Sequence, residues 1–224
     1  MRNESRRPPR PRRRARSPWG AVAFATACAL FWAPALNAQP AADSPGGESA
    51  EELERESRLD ALFDRLAAAE DGPHERVEQE ILRVWAQSGS ATADLLLQRG
   101  RDALGQEDAV RAIAHAGAAL DHFPDFAEAW NLRATAFFTL GRYGQALADI
   151  EQVLAREPRH FGALSGLGII LEQVGREQDA LAAYREAARW NPHMQRVNDA
   201  VDRLAPKVDG RDAIRKTFRF PDFI

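Results

Sequence analysis

The sequence predicts an all-α chain built as a stack of helix-turn-helix hairpins, and three observations predict it. Pro124, Pro158 and Pro192 stand 34 residues apart. Small and large apolar residues recur in step with them. A glycine (Gly105, Gly141, Gly175) falls between the two helical stretches of each unit. A fixed period of 20–50 residues marks an array of like units that bury their apolar faces on each other.

The register starts at Ala93, Ala127 and Phe161. Position 4 is Leu96, Trp130 and Leu164; position 8 is Gly100, Ala134 and Gly168; position 20 is Ala112, Ala146 and Ala180. Positions 8 and 20 are small where the two helices of a hairpin must cross closely. Positions 11 (Ala103, Phe137, Leu171) and 24 (Ala116, Ile150, Tyr184) fill the layer between hairpins. The proline at position 32 ends the second helix, because it has no amide to donate and pushes its predecessor out of the helical region. The glycines close the first helices in the left-handed conformation. Asp125, with Glu128 three residues on, has the pattern of a capping box. Arg133 stands at position 7 and Asp149 at position 23 of the middle unit.

This period and the segment AEAWNLRATAFFTLGRYGQALADIEQVLAREP from Ala127 resemble the tetratricopeptide repeat, in an exported bacterial form. The resemblance covers Ala93 to Met194. It implies a right-handed α-solenoid with three repeats, 93–126, 127–160 and 161–194, inside a domain spanning 91–194. It also implies a concave wall lined by the first helix of each repeat, where such proteins hold a protein or peptide partner, and a pairing of Arg133 with Asp149 inside the middle hairpin, as in repeats that this one resembles.

The flanks divide further. Residues 1–38 read as a cleaved signal peptide: eight arginines, an apolar stretch from Trp19, and the small residue Ala38. Retention as an inner-membrane anchor facing the periplasm is the competing reading, and Cys28 faintly matches a lipoprotein acceptor. Residues 39–50, with Pro40, Pro45, Gly46 and Gly47, read as a flexible leader. Residues 51–90 predict a helical pair: Leu59, Leu62, Phe63 and Leu66 form one stripe, Val77, Ile81, Leu82 and Trp85 another, with Gly72 and Pro73 between. The pair is expected as an N-terminal cap or a degenerate repeat at the end of the stack. Residues 195–206 predict a capping helix that Pro206 stops. Residues 207–224 form a tail without a clear helical period, carrying Phe218, Phe220, Phe223 and Ile224. It is expected to dock in an extended form, on the chain's own groove or on a partner.

Charge narrows the function. Removing eight arginines and Glu4 from 30 basic and 33 acidic residues leaves 22 and 32, a net charge of −10. That balance opposes nucleic-acid binding, which needs a basic footprint. Cys28 leaves with the signal, so thiol catalysis and a cysteine-held zinc are excluded from the mature chain. No HExxH occurs. Around Ser165 the flanking positions of a serine elbow are Ala163 and Leu167, where glycines are required. The sequence therefore predicts no enzyme, no cofactor, no metal and no nucleic-acid partner. A membrane enters only if the signal segment is retained.

The resemblance places the partner site on Leu97, Arg101, Asn131, Thr135, Phe138, Ser165 and Ile169. Leu97, Phe138 and Ile169 offer apolar contact. Asn131, Thr135 and Ser165 offer hydrogen bonds to a peptide backbone. Arg101 is the one cation placed for a carboxylate, and the lysine–asparagine–arginine clamp of chaperone-binding relatives is missing: Leu97, Gly162 and Gly166 stand in it. The function expected is a non-catalytic periplasmic scaffold holding an unidentified protein or peptide. The alternative is an accessory subunit of a cell-envelope assembly complex that docks by its edge.

Overall fold

The structure is a computed structural model that describes residues 50–69 and 74–217, all within the unit Gly47–Ile224. The expected signal peptide, nearly all of the leader, Gly72, Pro73 and the tail from Phe218 lie outside those residues. The described residues form α1 (Ala50–Ala67), α2 (His74–Trp85), α3 (Ala91–Gly105), α4 (Ala109–His122), α5 (Ala127–Thr139), α6 (Tyr143–Arg156), α7 (Phe161–Gln173), α8 (Glu177–Trp190) and α9 (Gln195–Thr217).

Helices α3–α4, α5–α6 and α7–α8 are the three hairpins, and successive hairpins stack. Ala112, Ala146 and Ala180 are fully buried. A Cβ on Gly168 would stand 2.5 Å from the ring of Tyr184, its partner across the hairpin. On Gly100 it would stand 2.5 Å from Leu132 Cδ2 of the next repeat. The constraint is strict at Gly168, where a methyl would run into the Tyr184 ring, and looser at Gly100, where the Leu132 side chain can turn away; Ala134 carries its methyl buried at the same position.

All three hairpin turns close alike. Asp108, Arg142 and Arg176 donate their amides to the carbonyls of Ala103, Phe137 and Leu171, and the preceding residues donate to Leu104, Phe138 and Glu172. That is the paired bond set of a Schellman ending. Gly141 and Gly175 take the left-handed conformation, as expected. In the first turn the residue at φ 61° is Glu107, while Gly105 remains helical as the last residue of α3. Register decides this: Glu107, not Gly105, lies 34 residues before Gly141.

The expected capping box does not form. Phe126 precedes α5 without a side-chain cap, and Asp125 instead meets Arg156 at 3.3 Å. Glu128 is drawn inward by partners described below. The Arg133–Asp149 pair does form, with Nε and Nη2 donating to the two carboxylate oxygens at 2.7 and 2.8 Å. Asp149 is 4% exposed. The guanidinium packs over Trp130, and its bond to Asp149 holds its pKa above the usual value.

The N-terminal pair is placed differently from expectation. Its core of Leu59, Leu62, Phe63, Leu66, Val77, Ile81 and Trp85 includes Phe161 and touches Trp190 and Met194 of the third repeat. Polar ties reach the loops between repeats: Trp85 Nε1 donates to Glu157 at 3.0 Å, Asn191 to Glu78 at 3.2 Å, and Arg159 to Glu56 at 2.7 Å. The pair therefore braces the proline-bearing edge instead of covering the first repeat. That repeat carries its own polar end: Gln98, Arg99 and Asp102 are exposed, where repeat two buries Leu132 and Ala136.

Helix α9 begins 34 residues after α7 and takes the place of a further first helix. Val197, Ala200, Leu204 and Val208 bury against Leu181 and Tyr184. Arg203 Nη2 donates to Glu172 at 3.0 Å, and the Tyr184 hydroxyl donates to the same carboxylate at 3.3 Å. Burial, then the Glu172 charge, push the Tyr184 phenol up to about 12, while the Arg203 bond lowers the Glu172 carboxyl. Contrary to expectation, α9 does not stop at Pro206. Pro206 and Asp202 both face water, so the carbonyl deprived of its amide is solvated. The Leu204–Val208 spacing keeps the apolar stripe going past the proline.

Candidate functional site

Helices α5 and α7 stand side by side as first helices of adjacent repeats, and a cleft of about 260 Å³ opens between them. Asn131, Thr135 and Phe138 line one wall; Gly162, Ser165, Gly166 and Ile169 line the other; Ala134, Ile150, Ala163 and Ile170 form the floor. At Gly162 and Gly166 this second wall carries no side chain, so another backbone can come close there. Ile169 is 39% exposed, unusually open for isoleucine in a folded chain.

Five of the seven predicted site residues meet here: Asn131, Thr135, Phe138, Ser165 and Ile169. Leu97 does not. It is 1% exposed and packs with Ala116, Leu120 and Leu132, because the bulky Leu132 reaches back across the first interface. Arg101 does not either: its Nη2 donates to Glu128 at 2.6 Å.

Glu128 anchors a buried polar chain that sequence reasoning missed. His160 Nδ1 accepts the Ala163 amide at 3.1 Å and so caps α7. That leaves Nε2 to donate to Glu128 Oε2 at 2.9 Å. The imidazole also stacks on Trp85, 4.2 Å between centroids and 12° from parallel. Burial alone would raise the Glu128 carboxyl, but the hydrogen bond from His160 and the hydrogen bond and charge of Arg101 outweigh it and hold it below the usual carboxylate value. The chain runs from Arg101 of α3 through α5 and the α7 cap to α2. The one legible signal was His160 just before a helix start. Ile150 was also missed, since it reaches the floor from the second helix of its hairpin.

Two further acids on first helices are also engaged. Asp94 accepts from Ser88, and Glu172 is held by Arg203. Among the described residues no group of three or more His, Cys, Asp or Glu is placed to hold a metal ion, and no helix is long and apolar enough to cross a membrane.

The sequence profile of the tetratricopeptide repeat matches residues 97–148 and 132–193. A TPR repeat-containing protein of Rhizobium etli is 39% identical over 154 residues, covering 68% of this chain and 76% of that protein. The chain therefore belongs to the tetratricopeptide-repeat family. It is also 31% identical over 102 residues to the small glutamine-rich tetratricopeptide repeat-containing protein 2 of Mycosarcoma maydis, covering 46% of this chain and 29% of that one. Among solved structures, the first TPR of Spaghetti (RPAP3) bound to HSP90 peptide SRMEEVD superposes with a TM-score of 0.51 at 19% identity, over 55% of this chain and 96% of that one. The Sgt2 TPR domain of Aspergillus fumigatus gives a TM-score of 0.51 at 20% identity, over 60% and 89%. These two likenesses concern the fold.

Proposed function

We propose that this chain is a non-catalytic scaffold that holds an apolar peptide segment of another protein in the α5–α7 groove, and that it works in the periplasm after export. The observation that carries the reading is an uncovered apolar cleft on the concave wall whose charged neighbours are already paired within the chain. The Spaghetti domain holds an acidic peptide. An acidic ligand needs unsatisfied cations, whereas here Arg101 is committed to Glu128 and Gly162 and Gly166 present no side chain. Apolar side chains fit this wall, and Asn131 and Ser165 supply polar atoms for the backbone between them.

Fluorescence anisotropy with apolar and acidic peptides tests the specificity. Apolar peptides bind, and Gly166→Glu abolishes the binding; preferential capture of acidic peptides overturns the reading. Fractionation with N-terminal sequencing tests the location. A periplasmic chain starting near Gln39 supports export, and an intact chain in the inner membrane supports the anchored form. The alternative, an accessory subunit of an envelope assembly complex docking by its edge, has less room: α1–α2 already occupies the proline-bearing edge.

A further inference from the structure

A segment suited to this groove lies in the chain itself. We infer that residues 218–224 of one copy occupy the α5–α7 groove of a second copy. The inference rests on the reading of that groove as a peptide site.

Chain length argues for a second copy. Helix α9 takes the place of a first helix beside α7, and Arg203 ties it to Glu172. The thirteenth residue of α7 is its last, Gln173; the thirteenth of α9 is Lys207, and α9 continues to Thr217. At 1.5 Å per residue the extension overshoots by about 15 Å. Ile169 is the ninth residue of α7, so Thr217 lies about 21 Å further along the helical direction. Packed helices stand about 8–10 Å apart. The gap back to Ile169 is then about 23 Å, and the seven residues 218–224 span at most about 24 Å when fully extended. Their last residue alone would reach the rim, and Ser165 and Gly162 lie deeper still. With α9 intact the segment cannot fill its own groove. The groove of another copy carries no such limit.

Chemistry fits the same occupant. Phe218, Phe220, Phe223 and Ile224 are four large apolar residues in seven. The cleft offers Phe138, Ile150, Ile169 and Ile170 to them, with a bare glycine wall for the backbone that joins them. Arg219 and Asp222 offset each other, which suits a groove whose own charges are paired.

Sedimentation velocity on the mature full chain is the experiment, with two variants. Phe218→Ala/Phe220→Ala/Phe223→Ala removes the tail's anchors. Gly166→Glu blocks the groove and preserves the fold, since a Cβ there meets only Ile150 Cδ1 at 3.8 Å; a thermal melt checks this. Wild type is expected to associate with rising concentration, and each variant alone to stay monomeric. An equal mixture of the two is expected to pair, because one supplies an intact groove and the other an intact tail. A labelled peptide of residues 216–224 should bind the tail variant and not the groove variant. A monomeric wild type at the highest soluble concentration overturns the inference, even if the peptide binds. Failure of this peptide where other apolar peptides bind in a Gly166-dependent way overturns it too and leaves the groove's function standing. Failure of every peptide removes both.

Discussion

Arg133 and Asp149 show how much one pair decides inside a repeat. Asp149 is buried and takes both donors of the guanidinium. Removing one partner strands a charge, which costs about 3 kcal/mol in such a site. Replacing both with apolar residues of similar size should cost much less. A double-mutant cycle on chemical unfolding reads the difference, and a coupling energy near zero rejects it. Glu107 offers the opposite case. Its left-handed backbone costs an ordinary residue about 1 kcal/mol that glycine does not incur. Glu107→Gly should therefore stabilise the chain by about 1 kcal/mol, while Gly105→Ala, inside α3, should not destabilise it. An unchanged melting midpoint for Glu107→Gly sinks this account. Glu128 sets an acid dependence. Its folded pKa lies below the ordinary value of 4.5, so its contribution is complete above 4.5 and is lost as pH falls through the lower folded value. Glu128→Gln should lower stability at neutral pH and flatten the dependence below about pH 4.5. Equal acid slopes for both proteins would contradict it.

At the scale of elements, α1–α2 and α9 are the two that escape the repeat rule. The hairpin α1–α2 is held by aromatic packing, with Phe63 5.6 Å from Trp190 and Trp85 5.1 Å from Phe161, and by ties to two inter-repeat loops, through Glu157 and Arg159 and through Asn191. It should detach as a unit, because few contacts join it to the stack elsewhere. Trp85→Ala removes the ring that both fills this core and stacks on His160, a loss of about 3–5 kcal/mol. Hydrogen exchange should then show α1 and α2 losing protection while α5 and α6 keep theirs. Uniform loss across all helices would show that the brace and the stack unfold together. Helix α9 obeys a different logic. A lone proline on its wet face costs one hydrogen bond, and the apolar stripe on its dry face outweighs that.

At the scale of the molecule, the hairpins make a stack whose first repeat is finished by polar residues and whose last is finished by α9. The brace runs along one edge, and the polar chain from Trp85 to Arg101 links that edge to the groove wall. The groove thus inherits its shape from contacts on both sides: repeat stacking sets the floor, and the α7 cap sets the glycine wall. The cleft stays open because Gly162, Ser165 and Gly166 carry little side chain on the α7 wall.

Much of this was legible in the chain. The period of Pro124, Pro158 and Pro192 determined the three hairpins, and Gly100, Gly168 and the alanines of position 20 determined where helices touch. Each of these is a local rule repeated, so one residue type at one spacing carries the information. The Arg133–Asp149 pair and five groove residues follow from the family resemblance applied to the same register. What only the tertiary structure decided lies outside the repeat. Leu97 is core because Leu132 from the next repeat covers it. Arg101 is unavailable because Glu128, pulled inward by His160, claims it. The hairpin α1–α2 sits on the third repeat because Phe161 and Trp190 offer an apolar seat there. Helix α9 outruns Pro206 because burial of Leu204 and Val208 outweighs a local preference. In every case the deciding partner is distant in sequence, and no periodicity connects the two.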